Sequence, residues 1–495
     1  MWSRPARWVA FLGIIGLAFG LIAEPIATAQ SGQAPTYTSL RAFNIPNGYV
    51  RHGGGWARLD DIYPHSPEWA RADATWAVVP GLAGNCVSLE SRNFKRHYLR
   101  HQNGRLRLDG FQDSRGFRED ATFCQVSGLA DPNAVSLRSF QFGNAFLRHA
   151  GGQVYLADND NSPLFRADAT FRTSSPLISG VFYNSLLDRG ADPTMVRHNN
   201  VYYLLQGDQY NGNDLVIRKS GSVEGLRDAP PIVLWRHPQC PAIACTEVWA
   251  PELQRIRNQW WIFFTGASDN GNGRSHRMFA LRGRTDDPSG PYDYLGEQRL
   301  PDGQWAIDGV WFEKDGQGYY AWSGWDRDYG NANEVQHLYV ARMHDPMTPA
   351  GPRVKISSPT QRWETRPNHA NVLLNEGPQP IIGPQNQLFM TFSANASWTD
   401  DYCIGLLTLN GSPTEPTAWS KSGDCVFHGQ DSTIAPGHNG FIQVNGRWWI
   451  TYHARQYPGT GWMGRSVRLQ PLSFNGAGQP IFGTAVSAHQ PVPLP

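Results

Sequence analysis

The chain has 495 residues, too many for one ordinary hydrophobic core, so two or three domains are expected. Lys and Arg number 43 against 42 Asp and Glu, which excludes a global field drawing the chain to nucleic acid or an anionic membrane. With 51 Gly, 19 Trp, 18 Tyr, 23 Phe and only 17% charged residues, the composition fits short strands and tight turns, an all-β protein with a neutral partner.

The first segment reads as an address. Met1 to Arg7 is basic, Trp8 to Ala23 is apolar and Ala27-Thr28-Ala29 is a small-x-small site, together a signal peptide over residues 1–29. The apolar run falls short of the ~20 residues a membrane span needs, and no later stretch is apolar enough. The expectation is a secreted, soluble monomer without membrane or nucleic-acid partners. Six cysteines in such a compartment pair more often than they bind metal. Proximity favours Cys86 with Cys124, Cys240 with Cys245 and Cys403 with Cys425, and the lack of CxxC spacing gives zinc little support.

Over residues 35–176 one pattern occurs three times. Ser39-Leu40-Arg41, Val87-Ser88-Leu89 and Val135-Ser136-Leu137 open the copies. Tyr49-Val50-Arg51-His52, Tyr98-Leu99-Arg100-His101 and Phe146-Leu147-Arg148-His149 follow. Asp73-Ala74-Thr75-Trp76, Asp120-Ala121-Thr122-Phe123 and Asp168-Ala169-Thr170-Phe171 close them. Three copies of about 45 residues, rich in alternation and turns, suit a β-trefoil, which closes a barrel without edges. The whole segment resembles the arabinofuranose-binding module of carbohydrate-binding module family 42. That resemblance implies one shallow pocket per repeat, in which His52 with Asp73, His101 with Asp120 and His149 with Asp168 hydrogen-bond sugar hydroxyls. A turn-capping Asp beside a packed His would leave the same repeat. Phe146 replaces the Tyr of the other copies, so the third pocket is the weaker one if the hydroxyl contributes.

Over residues 178–495 a more degenerate plan recurs five times: a polar or acidic residue opens a strand, and after a short turn an aromatic or apolar pair follows. The openings are Ala191-Asp192-Pro193, Trp249-Ala250-Pro251, Ile307-Asp308-Gly309, Asn375-Glu376-Gly377-Pro378 and Gly437-His438-Asn439. Five such units suit a five-bladed β-propeller, whose innermost strands face one axis. Asp192, Ala250, Asp308, Glu376 and His438 are therefore expected to converge. Like charges buried together are costly, so three carboxylates on one axis point to chemistry rather than to a core.

Glycoside hydrolysis needs one carboxylic acid to protonate the leaving oxygen and one carboxylate to drive attack. A third carboxylate nearby raises the acid's pKa by like-charge repulsion. The stretch from Ile178 to Leu494 resembles glycoside hydrolase family 43 in ADP at Asp192, WAPEL from Trp249 to Leu253, IDG at Asp308, NEGP at Glu376 and GHN at His438. The resemblance implies Asp192 as general base on a water, Glu376 as general acid and Asp308 as modulator. It also implies inversion, with the Asp192 and Glu376 carboxyls about 6.5–9.5 Å apart. Glu247 and Glu252 flank the second opening, but the alignment puts Ala250 on the axis, which favours Glu376 as the acid.

Three further positions have open alternatives. Trp249 walls the pocket or simply packs. Arg465, just before a strand from Val467 to Leu472, reaches a sugar hydroxyl or ends a solvated strand. His438 touches a water or a calcium-type ion, or is a hydrogen-bonded core histidine. No cofactor is required, and an axial or structural calcium ion is the one metal the resemblance suggests. The two resemblances agree on terminal α-L-arabinofuranose, removed from arabinan or arabinoxylan of the plant cell wall while the trefoil holds the polymer close. β-Xylosidase or arabinanase chemistry on the same scaffold, or a lectin-like protein with an inert propeller, are the competing readings.

Overall fold

The structure, a computed structural model, describes residues 35–207, 213–239, 242–268, 274–327, 334–365 and 372–495. The expected leader, residues 1–29, and Cys240 of the expected Cys240–Cys245 pair lie outside the described residues. Among the described residues no helix is long and apolar enough to cross a membrane.

In the first half six strands close a ring: Thr36–Ala42, Trp76–Pro80, Val87–Ser91, Phe123–Ser127, Val135–Ser139 and Phe171–Ser174. Each pairs with the next and the last with the first. Three hairpins, the first formed by Gly48–Gly53 and Trp56–Asp61, cover one end and pair with one another. This is the expected β-trefoil.

The Asp-Ala-Thr repeat has a local cause. Each Asp is the last residue of a short helix, Glu68–Asp73, Arg115–Asp120 or Pro163–Asp168. The Thr hydroxyl donates to the Arg carbonyl one turn back, Thr75 to Arg71 at 2.9 Å, Thr122 to Arg118 at 2.7 Å and Thr170 to Arg166 at 2.8 Å. The intervening alanines are fully buried, which leaves no space for a larger side chain. Trp76, Phe123 and Phe171 then enter one core with Leu40, Leu89 and Leu137. Full burial of each such apolar side chain contributes about 1.5–3 kcal/mol. The Cys86–Cys124 bridge lies within this unit, as expected.

The second half forms five four-stranded blades, the third with one extra short strand. Their inner strands are Ala191–His198, Thr246–Ile256, Ala306–Lys314, Asn375–Ile382 and Ile434–Val444. Each inner strand touches the next and the fifth touches the first, which makes the five-bladed propeller. An apolar cluster fills each gap between neighbouring blades. Phe263, Trp311 and Tyr320 belong to the second gap, for example, and Met195, Tyr202, Trp449 and Leu469 to the one that closes the ring. Val181–Tyr183 pairs with Pro491–Pro493 beside that closing gap. Cys403–Cys425 staples the fourth blade, as expected.

The two halves meet through charge. Arg92 of the trefoil reaches Glu224 and the Val181 carbonyl, while Arg227 of the propeller binds Glu90 through two bonds of 2.8 and 3.0 Å. Tyr37 donates to Glu224 at 2.8 Å, and Phe94 stacks on His489 at 4.2 Å.

Candidate active site

Every inner strand breaks its ladder at the same point, where one residue adopts left-handed backbone: Asp192 (φ 50), Ala250 (φ 43), Asp308 (φ 58), Gly377 (φ 57) and His438 (φ 44). That conformation costs a non-glycine residue roughly 1–2 kcal/mol, and such strain collects where a side chain must be aimed. Here it turns those side chains toward the axis. The expected set is corrected by one position: Gly377, not Glu376, is the equivalent of Asp192, and Glu376 precedes the break. Glycine adopts that conformation without strain, and a Cβ at Gly377 would be a tight fit, 3.2 Å from the His438 ring. The fourth blade thereby presents Glu376 from a different angle.

The three carboxylates do come together. Asp308 Oδ2 accepts the Gly377 N–H at 3.0 Å, and Asp308 N–H donates to Thr265 at 3.2 Å. Tyr402 donates to Glu376 Oε1 at 2.8 Å. Around Asp192 Oδ1 stand His453 Nδ1 at 3.2 Å, His438 Nδ1 at 3.3 Å and Arg465 Nη1 at 3.7 Å. Arg465 thus opens the strand Arg465–Phe474 and turns to Asp192, instead of preceding a strand that starts at Val467.

These surroundings drive the carboxyls apart. Burial pushes Glu376 up to about 7; the Asp192 charge adds to the rise, and Tyr402 and Arg465 oppose it. The like charge that lifts Glu376 is thus that of Asp192, not the one expected from Asp308. Asp308 is itself pushed well above the carboxylate range, first by burial and then by the Glu376 and Asp192 charges. Burial also works against ionised Asp192, but His438, His453 and Arg465 outweigh it and hold that carboxyl below the ordinary range. Burial lowers both imidazoles, His453 to about 4, so near neutrality Arg465 is the lasting positive charge on Asp192. One cup thus holds an ionised carboxylate and a protonatable carboxyl, the two states that general base and general acid catalysis require.

Glu252 lies two residues beyond the break in its strand, which points it back toward the axis. It is 4% exposed, accepts from Gln379 and is pushed up to about 8 by burial, with the Asp192 charge adding to the rise. Sequence alignment of the openings passed over it because a ladder break changes which residues face inward. His453, on the second strand of the fifth blade, and Tyr402, just before the third strand of the fourth, carried no motif at all.

Trp249 is half-buried beside the axis and stacks on His276 at 4.3 Å, and Trp305 stacks on Trp325 at 4.2 Å. These rings give the second and third blades an aromatic wall. His438, the expected metal contact, engages Asp192, and among the described residues no three His, Cys, Asp or Glu side chains converge as ligands.

The trefoil pockets are unequal. In the first, Asn93 stands between His52, 3.1 Å away, and Asp73, to which it donates at 2.8 Å. In the third, Asn44 does the same for His149 at 2.8 Å and Asp168 at 2.8 Å. Gln141 holds the equivalent place in the second copy but turns away to Glu119 at 3.3 Å. His101 Nε2 is left buried without a hydrogen-bond partner, 3.6 Å from Asp120 Oδ1. The pockets therefore differ at Asn44, Asn93 and Gln141 more than at the Tyr-to-Phe position singled out in the sequence.

Residues 186–480 match the family described as Glycosyl hydrolases family 43, and residues 38–173 and 125–218 match the Alpha-L-arabinofuranosidase B (ABFB) domain. An "Extracellular exo-alpha-(1->5)-L-arabinofuranosidase" of Streptomyces avermitilis is 30% identical over 327 residues, 63% of this chain and 65% of that protein. A protein of the same name from Streptomyces chartreusis is 32% identical over 284 residues, 56% of this chain and 83% of the relative. The match spans just under two thirds of the first relative's length. The crystal structure of alpha-L-arabinofuranosidase from Lactobacillus brevis is 29% identical with a TM-score of 0.56, covering 62% of this chain and 97% of its own.

Proposed function

From the premise that this chain belongs to glycosyl hydrolases family 43, we propose that it is an inverting α-L-arabinofuranosidase, secreted and acting on arabinan or arabinoxylan of the plant cell wall. The observation that carries this reading is the split between Asp192, held ionised by Arg465 and its imidazoles, and Glu376, held protonatable near neutrality by burial. Asp192 takes a proton from a water as that water's oxygen bonds to the anomeric carbon. Glu376 gives its proton to the glycosidic oxygen as the old carbon–oxygen bond breaks, so one attack from the opposite face inverts the centre. Asp308 positions Glu376 through the Gly377 N–H, and the Trp249 ring flanks the sugar.

The arabinofuranosidase names of the relatives and the match to the ABFB domain support the choice of sugar. In the trefoil we assign sugar recognition first to His101 and Asp120, whose polar atoms lack the Asn bridge of the other two pockets. The deciding experiment measures arabinose and xylose release from p-nitrophenyl glycosides and branched arabinan by wild type and Glu376→Gln. Arabinose release abolished in the variant supports the reading. Xylose as the main product, or sugar binding without turnover, would replace it with a xylosidase or a lectin.

A further inference from the structure

The turns that join the second and third strands of the fourth and fifth blades rise beside the cup. The strands are antiparallel, and Asn375 pairs with Ala394 and Ile434 with Arg455, so both turns leave at the end where the inner strands open. The first turn, residues 395–402, carries Trp398 and ends at Tyr402, which donates to Glu376. The second, residues 456–464, carries Trp462, whose carbonyl accepts from Arg465 Nε at 3.3 Å while Nη1 of the same guanidinium stands 3.7 Å from Asp192. Each turn is thus tied to one of the two carboxyls that the proposed reaction uses.

The two turns are clamped to each other. The buried Arg455 guanidinium donates to the carbonyls of Trp398 at 3.0 Å, Thr399, and Gly461 at 3.4 Å. Asp400 accepts from Arg455 at 2.8 Å and from the Gly459 N–H at 3.1 Å. The clamp holds the Trp398 and Trp462 indoles as a corner, 81° between their planes and 5.2 Å between centroids, with Trp462 Nε1 donating to Ser397 at 2.9 Å. Trp462 nevertheless stays 43% exposed. A large ring already fixed at the rim of a site gives up little freedom when an apolar face covers it, and the C–H face of a sugar is such a surface.

The acid decides which sugar that is. Glu376 must reach the glycosidic oxygen, so the leaving part of the polymer lies on its side of the cup, and the Trp398 turn is the one that ends at Tyr402, the partner of Glu376. We propose that the Trp398–Trp462 corner is the subsite for the first sugar beyond the scissile bond, a neutral ring that stacks there while the terminal arabinose fills the cup. It rests on the glycosidase reading above.

The test uses the full chain with Trp462→Ala and Trp462→Phe, both of which keep the carbonyl that holds Arg465. The substrates are methyl α-L-arabinofuranoside, whose methyl group is too small to reach the corner, and arabinotriose, which supplies a sugar beyond the bond. In Trp462→Ala, kcat/KM is expected to fall about tenfold on arabinotriose and to stay unchanged on the methyl glycoside. Trp462→Phe, which keeps an aromatic face, should recover most of that loss. Equal losses on the two substrates would overturn the subsite, because they would mean damage to the cup, and so would no loss on either. Methyl glycoside left intact by wild type would count against the proposed activity instead. A calorimetric site count for arabinotriose would then decide the corner, which requires one site fewer in Trp462→Ala than in wild type.

Discussion

Asp308 Oδ2 accepts the Gly377 N–H at 3.0 Å, so the third carboxylate holds the turn that aims Glu376. Its expected role was to tune and to orient the acid, and its geometry is that of a brace. Asp308→Ala should lower kcat about a hundredfold through misplacement of the acid. Asp308→Asn, whose amide oxygen still accepts, should keep clearly more activity. Equal losses in the two variants would show that charge rather than position is what Asp308 supplies.

The Tyr402 hydroxyl stabilises ionised Glu376 and so lowers a pKa that burial has raised to about 7. Removing it in Tyr402→Phe should raise that pKa further and move the alkaline limb of the kcat/KM profile upward. A limb that stays in place, or moves down, would detach Glu376 from the acid role.

Arg465 favours the ionised form of both Asp192 and Glu376. Arg465→Gln should therefore shift both limbs of the pH profile to higher pH, with kcat/KM near the old optimum down roughly tenfold. A pure rise in KM with an unmoved profile would mean that Arg465 serves only to hold sugar.

Glu252 has a folded-state pKa of about 8 against an ordinary 4.5. Its stabilising contribution is complete below the unfolded value and is lost as pH rises through 8, at up to about 1.4 kcal/mol per pH unit within that window. Glu252→Gln keeps an acceptor for Gln379 and cannot ionise. Its melting temperature should fall less than that of wild type between about pH 5 and about pH 8, and parallel curves would place the titration elsewhere.

In the trefoil, Asp120→Ala should weaken binding of arabino-oligosaccharides more than Asp73→Ala or Asp168→Ala, because Asn93 and Asn44 already occupy the polar atoms of those pockets. Loss of a hydrogen bond from one site corresponds to about a tenfold weaker affinity. The reverse order in a titration would make the asparagine bridges part of recognition instead.

The architecture was legible because both halves repeat: Asp-Ala-Thr recurs for reasons local to one helix end, and the blade openings recur because each inner strand breaks in the same way. The three carboxylates were found from those openings. What escaped was anything that depends on the break itself, such as the one-residue offset of Glu376 and the inward turn of Glu252, since alternation counted through a bulge names the wrong face. His453 and Tyr402 escaped for another reason. They reach the site from neighbouring strands, and only the packing of blades brings them within hydrogen-bond distance.

The pairing of Val181–Tyr183 with Pro491–Pro493 also sets an order of assembly. The trefoil ring is complete once Phe171–Ser174 has been made, while the propeller ring waits for a partner roughly three hundred residues downstream of its first strand. At about 5–20 residues per second of synthesis, the first blade spends on the order of tens of seconds with an apolar flank uncovered. During that interval the finished trefoil, joined to the first blade through Arg92–Glu224 and Glu90–Arg227, is the one folded neighbour the open ring has. The trefoil thus doubles as a scaffold while the propeller is being made.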